Sequence, residues 1–537
     1  MSDSLLFLET VRVKSIQATA PLLPEIMALH SKWLANKEAA ICGEQRLSWT
    51  QFGERINAVA NSLIDRGLQT GDSVIVLMSN GLPMLEALFG IMTAGGVSVP
   101  INLSVSDEGL TNMIEDAAAE FIMVTCDQCQ RVEAIRAQLP SQLCTNRILA
   151  RGNLEEEILS GWLDYEEFVA SGSSTFPNVA IHPSDYLNVI YSSGTTGSPK
   201  GIVHTHQGRR DWAYDLAIAL RYHGGAKTLF TIGLYSNISW VAMLATVLAG
   251  GTLVIHKQFD AKQFLATVER ECITHTAMVP IQFQRVVEAY REQPHDISSM
   301  QAMMACGSPL FESLKKEIFA VFPCGIIELY GLTEGIITTL EPEEAEGRWT
   351  SVGKPLIGTD IKIIDDDDAE VAAGLSGEIV SRGRISMPGY LNRPDATEAS
   401  IWRDQAGREW LRSGDIGRID EQGYLYIVDR KKDMILSGGQ NIYPQDIEAV
   451  LVQHEAVNEV AVIGAESRRW GETPIAFVVP ELGSAFSSAQ ILEWCNERVG
   501  KQQRIADLIF IDALPRNPNG KILKRELRRE YGEKIYD

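Results

Sequence analysis

The chain has 537 residues, 45% hydrophobic and 22% charged, an ordinary globular composition in a length too great for one hydrophobic core. Its formal net charge of -22 argues against a nucleic-acid backbone or an anionic membrane as main partner, because both repel such a surface. No leader pattern opens the chain, no apolar run reaches the roughly 18 residues a spanning helix needs, and eight cysteines in this length are no disulfide framework. The expectation is a soluble cytoplasmic protein without integral membrane association.

From Gln51 to Leu63 and from Leu85 to Met92 the pattern is helical, and between them Ser73 to Met78 is the unbroken apolar run of a buried strand. Cys126 and Cys129 form a lone C-x-x-C, to which no role is assigned. Tyr186 to Ile190 reads as a strand, and Thr228 to Ile232 and Thr252 to Ile255 as strands flanking the helical stretch Trp240 to Ala249. This alternation predicts parallel α/β layers. The acidic run Asp365 to Asp368, ahead of Gly374, Gly377 and Gly383, predicts hairpins instead. A charged stretch, Asp429 to Asp433, separates a strand at Tyr424 to Val428 from another at Met434 to Leu436. Beyond it come a helix from Pro444 to Gln453, strands around Val460 to Ile463 and Ala476 to Val479, and a helix around Ser488 to Val499, about a hundred residues of α+β. The expected architecture is α/β: a large N-terminal domain of layered α/β subdomains plus a β-rich subdomain, residues 1–431, and a small mobile C-terminal α+β domain, residues 432–537.

The sharpest chemical signal is Tyr191-Ser192-Ser193-Gly194-Thr195-Thr196-Gly197-Ser198-Pro199-Lys200-Gly201, directly after a strand. Its glycines let backbone N–H groups approach an anion, its hydroxyls add donors and its lysine adds charge, the composition of a phosphate cradle. It is not the nucleotide loop G-x-x-x-x-G-K-[ST], since Pro199 and Gly201 bracket Lys200. A flexible Ser/Gly loop has the same composition.

This segment resembles the signature loop of the adenylate-forming superfamily, which contains acyl-CoA synthetases, luciferases and the adenylation domains of peptide synthetases. Further segments resemble that family in order: Tyr330-Gly331-Leu332-Thr333-Glu334, Ser413-Gly414-Asp415, Gly423-Tyr424 with Asp429-Arg430, Ser437 to Pro444, and Pro515 to Lys521. The resemblance spans nearly the whole chain. It implies an AMP-forming acyl-CoA synthetase that uses ATP, Mg²⁺ and coenzyme A.

By the same resemblance Ser192, Ser193, Gly194, Thr195, Thr196, Gly197 and Lys200 hold phosphates, Thr333 touches the α-phosphate, and Glu334 binds the metal. Tyr330 stacks on adenine, Asp415 and Arg430 contact the ribose, and Gly307, Glu328 and Gly331 complete the nucleotide pocket. Lys521 is implied as the catalytic lysine and Lys432 as the hinge. Gly438 and Gly439 are implied to move against the thiol's tunnel. Acyl adenylation brings two anions together, so such positive groups are what the chemistry requires.

The acyl-pocket stretch by resemblance is Gly233-Leu234-Tyr235-Ser236-Asn237-Ile238-Ser239-Trp240. It has no carboxylate to pair a substrate ammonium, which disfavours an α-amino acid. Ser236 falls where many acyl-CoA synthetases resemble one another in having His, and Gly331 where short-chain enzymes place Trp. The pocket is therefore read as open, with Tyr235 and Trp240 as substrate-binding candidates whose alternative fate is core packing. Apolar walls are expected from Met278 to Phe283 and from Cys306 to Leu310. The expected substrate is a medium-chain, aromatic or arylalkanoic acid. Loading of a carrier protein is the alternative, a non-catalytic nucleotide binder is the weakest reading, and a homodimer is left open.

Overall fold

The computed structural model describes residues 20–150, 161–191, 199–437, 440–516, 520–531 and 534–536. Ser192, Ser193, Gly194, Thr195, Thr196 and Gly197 of the expected phosphate cradle, and Gly438 and Gly439, lie outside the described residues. Among the described residues the strands form four sheets, and no helix is long and apolar enough to cross a membrane.

Two of the sheets are mostly parallel. One joins strands such as Lys227–Phe230, Thr252–Ile255, His275–Met278, Ala302–Ala305 and Ile327–Gly331, with antiparallel strands added at both edges. The other runs from Leu163–Asp164 to the antiparallel pair Tyr186–Tyr191 and Gly201–Thr205. Strand side chains alternate between faces. Val74 and Val76 accordingly enter the core between the two sheets, while Ile75 and Leu77 enter the core on the far side.

Helices that are apolar on every side must be covered on every side. The helices Leu82–Thr93 and Asn237–Leu248 are of this kind and pack into the core that both large sheets share, beside the fully buried Trp49, Phe52 and Phe89. The helix read as Gln51 to Leu63 runs Trp49–Asp65. Its start is set by a capping box, in which Gln51 N–H donates to Ser48 Oγ at 3.2 Å and Ser48 N–H to Gln51 Oε1 at 2.9 Å.

The third sheet is antiparallel and contains Thr359–Ile364, Gly377–Gly383, Glu409–Ile419 and Leu425–Arg430. The acidic run makes its first turn, where Asp365 Oδ1 accepts the N–H groups of Asp367 and Ala369, each at 2.9 Å. The fourth sheet is built on the long hairpin Val457–Ser467 and Gly471–Pro480 and carries helices against both faces. The chain passes from the third sheet to the fourth between Arg430 and Ile435. A large N-terminal α/β assembly and a small C-terminal α+β domain result.

Candidate active site

The strand Ile327–Gly331 turns into its antiparallel neighbour Ile337–Leu340 through Leu332 to Ile336, closed by Leu332 N–H donating to Ile336 O at 3.0 Å. Gly335 has φ +125° and a Cβ there would stand 2.5 Å from Ser386 Cα, so the turn needs glycine. Thr333 and Glu334 lie in this turn, half-buried. Tyr330, at the strand's end, donates its hydroxyl to Asp415 Oδ2 at 2.7 Å.

Asp415 and Arg430 are register partners on neighbouring strands of the third sheet, and Arg430 Nε is 3.3 Å from Asp415 Oδ1. Burial first, then the Asp415 carboxylate, holds the Tyr330 phenol well above its usual pKa, so it remains a donor. Asp415 is 3% exposed, and its Oδ1 accepts no hydrogen bond among the described residues. A buried acceptor so placed suits a hydroxyl donor from outside the chain.

Glu334 is joined to the end of the phosphate-cradle segment through a residue the sequence did not point to. Tyr390 donates its hydroxyl to Glu334 Oε1 at 3.0 Å, and Lys200 Nζ lies 4.8 Å from the centre of the Tyr390 ring. Nothing periodic marks Tyr390, whose loop reaches Glu334 across 56 positions. Among the described residues no group of three or more His, Cys, Asp or Glu side chains forms a metal cluster.

Lys521 approaches from the small domain. Its loop is closed by a bridge between Arg516 and Ile522, and Arg516 Nη1 donates to Gly520 O at 2.5 Å. A Cβ built on Gly520 would stand 3.3 Å from Val279 and 3.5 Å from Ile281 of the large domain, so the loop rests on that surface. Burial, then the nearby Arg430 and Lys432, pushes the Lys521 ammonium down to about 8. Lys432 is pushed down to about 8 by burial and then Arg430. Around it Asp429 Oδ2 accepts Gln445 N–H at 3.2 Å, Arg528 pairs with Asp433 at 2.9 Å, and Lys524 pairs with Glu448 at 2.7 Å. Small-domain groups thus hold the connecting segment.

The acyl-pocket stretch starts the helix Asn237–Leu248, with Ser236 Oγ as its N-cap acceptor. Tyr235 is half-buried, and burial pushes its phenol to about 12. Trp240 is fully buried and donates Nε1–H to Leu234 O at 3.0 Å. Met278 and Phe283, expected as apolar walls, belong to the core on the far side of the sheet. Gly307 follows the strand Ala302–Ala305 with φ +96°. Glu328 is buried on the strand of Tyr330 and forms an ion pair with Lys315, whose ammonium also donates to Trp349 O. Gly331 is exposed, but a Cβ there would stand 2.5 Å from Ile336 O.

A buried carboxylate with an unused acceptor, an aromatic donor and a buried lysine delivered by a second domain suit an enzyme that handles anions. Residues 30–391 match the family described as AMP-binding enzyme and residues 446–521 its C-terminal domain. The chain belongs to this AMP-binding enzyme family and is an AMP-forming acid–thiol ligase. The long-chain-fatty-acid–CoA ligase FadD13 of Mycobacterium tuberculosis is 33% identical over 91% of this chain and 94% of its own length. A feruloyl-CoA synthase of Amycolatopsis is 31% identical over 91% of this chain and 95% of its own. ATP-bound MatB from Rhodopseudomonas palustris superposes with a TM-score of 0.85 at 26% identity, over 95% of this chain and 99% of that one.

Proposed function

We propose that the chain is an ATP-dependent carboxylic acid–CoA ligase that forms an acyl-AMP and then an acyl-CoA, with a medium-chain, aromatic or arylalkanoic acid as substrate. The observation that carries this reading is the approach of Lys521, from the small domain, to Arg430 and Asp415, the group to which Tyr330 also donates. On this reading Asp415 Oδ1 accepts from the ribose, Tyr330 covers adenine, and Lys521 offsets the charge of carboxylate and α-phosphate as they approach. Lys200 is assigned to the outer phosphates and Thr333 to the α-phosphate. Glu334 is the candidate ligand for Mg²⁺, which takes one or two carboxylates together with phosphate oxygens and supplies charge neutralisation when bound.

The relatives act, by name, on a fatty acid and on an aryl acid, which supports an open pocket without choosing between the two. No observation favours transfer to a carrier protein. A pyrophosphate-release screen of carboxylic acids, run with and without coenzyme A, tests the reading. Expected are pyrophosphate with a subset of acids and an acyl thioester once coenzyme A is added. A thioester formed on a carrier protein but not on coenzyme A overturns it.

The two half-reactions need different occupants beside the carbonyl, so the small domain is proposed to turn about Lys432, at the boundary between residues 431 and 432, and bring Gly438 and Gly439 to the thiol's path. Lys432→Pro should leave adenylation near the parent rate and slow thioester formation from supplied acyl-AMP. Equal loss of both half-reactions in a folded variant would sink the hinge.

A further inference from the structure

Arg209 has an environment that neither the nucleotide chemistry nor the fold accounts for. It is 1% exposed on the helix His206–Ala219, with its guanidinium 4.4 Å from the Trp212 ring and 5.3 Å from the Trp240 ring. Its Nε donates to Asn188 Oδ1 and its Nη2 to Asn237 Oδ1, both at 3.0 Å. Arginine stays charged in proteins, and a buried charge is costly unless paired. No acid among the described residues pairs with it. Asp211 and Asp215, on the same helix, pair with Arg210 and Arg384 instead.

Two further features point the same way. Asn188 is fully buried and its Nδ2 donor has no acceptor, so an unused donor stands beside the unpaired cation. Asn237 is also the first residue of the helix Asn237–Leu248, where the helix dipole adds positive potential that favours an anion. A cation, a spare donor and a helix start form a place for an acceptor with negative charge, and Asn237 and Trp240 belong to the acyl-pocket stretch.

We propose that Arg209 and Asn188 form an anion-accepting subsite at the floor of the acyl pocket, so that the acid substrate carries a second carboxylate remote from the one that is adenylated. This rests on the ligase reading above and makes it narrower. A bidentate guanidinium–carboxylate pair beside two indoles gives discrimination that apolar burial alone cannot, because an analogue without the second acid leaves the cation unpaired.

Two acid pairs that differ by a second carboxylate test it by pyrophosphate release: octanoate against suberate, of equal chain length, and 3-phenylpropionate against 3-(4-carboxyphenyl)propionate. The parent should prefer the diacid of at least one pair by about 10-fold or more in kcat/KM, and Arg209→Met should lose that preference. The variant removes a buried charge without an acid partner but leaves Asn188 Oδ1 and Asn237 Oδ1 without their donor, so the two effects oppose and its thermal midpoint should move little. Arg209→Lys, with a point charge in place of the planar fork, should keep part of the preference. A parent that prefers the monoacid in both pairs overturns the proposal. So does an Arg209→Met variant that loses stability and turns over every acid equally less well, which is the mark of a structural arginine. Stabilisation by suberate or the aryl diacid, measured without ATP, separates the two readings. If a diacid raises the midpoint of the parent but not of Arg209→Met, and no acid releases pyrophosphate, the subsite stands and the ligase reading falls.

Discussion

At the proposed nucleotide end of the site, side chains from two sheets meet in contacts of fixed direction, Tyr330 on Asp415 at 2.7 Å and Arg430 on the same carboxylate at 3.3 Å. At the proposed acyl end the neighbours are packed apolar surfaces with the Arg209 guanidinium buried among them. The first kind of contact constrains residue type at particular positions and surfaces in the sequence as short motifs. The second depends on burial without direction, and many side chains satisfy it. A substitution at the nucleotide end should therefore damage one chemical step, and one at the acyl end should shift which acid is chosen.

The largest effect that would sharpen this contrast is at Lys521. Lys521→Ala should slow adenylate formation by about 10²–10³-fold, the usual loss when a preorganised charge-stabilising donor is removed, and spare thioester formation from supplied acyl-AMP. Stopped assays of each half-reaction measure the two separately. In the parent, the ammonium is pushed down to about 8, so it is charged below that pH and loses its charge as pH rises through it. The kcat/KM for adenylation should fall above about pH 8, and bound anions, which favour the charged form, should move the same limb of kcat higher. Opening the domains returns Lys521 to water and its usual pKa of about 10.4. Between those values the open form binds the extra proton, and rising pH favours closure.

Next comes Asp415. Asp415→Ala removes the acceptor that serves Tyr330 and faces Arg430, leaving both without it. Loss of hydrogen bonds to a charged group costs about 1.5–3 kcal/mol, so ATP and AMP should bind about 10–100-fold more weakly by calorimetry, with the spectrum of acids accepted unchanged. A changed acid preference at constant nucleotide affinity would break the division between the two ends.

A smaller and less selective effect is expected at Gly331. From sequence alone, a bulky residue there reads as a plug for the acyl pocket. The hairpin makes this too simple, because a Cβ would stand 2.5 Å from the backbone oxygen of Ile336. Gly331→Ala should therefore cost about 1–3 kcal/mol of strain or hairpin movement, the range for overpacking a formed site. Thermal denaturation and ATP affinity would register it for short and long acids alike. Narrowing toward short acids with stability and ATP affinity intact would restore the plug.

The strands Ser73–Leu77 and Thr252–Ile255 were legible because a strand buried on both faces is an apolar run, and the β-rich sheet because turn residues announce hairpins. The family is legible in the sequence because the motifs that carry the resemblance are local. Tyr390 was not, since its meaning is a contact across the fold with Glu334. Arg209 was not either: in sequence it is one basic residue beside Arg210, and only folding shows that Arg210 takes an acid and Arg209 does not.

Glu328 lies two residues before Tyr330 on the same strand and gives the smallest expected effect on the reaction. Resemblance assigns it to the nucleotide pocket, whereas its carboxylate here is buried against Lys315. Burial raises it to about 7, with Lys315 offsetting part of that cost. The folded state therefore binds a proton that the unfolded chain releases between its usual carboxylate pKa of about 4.3 and about 7. Glu328 accordingly makes stability fall as pH rises through that window. Glu328→Gln removes this slope, so the thermal midpoint of the variant minus that of the parent should grow more positive from pH 5 to pH 7. If the carboxylate acts only through Lys315, ATP affinity at pH 7 should stay within about twofold, since a surviving hydrogen-bond acceptor can still meet the ammonium. A tenfold loss of ATP affinity with a flat difference in midpoint would instead put the Glu328 side chain on the nucleotide. The Lys315→Met variant checks the partner, because it leaves the acid buried without its cation and should steepen the same pH dependence.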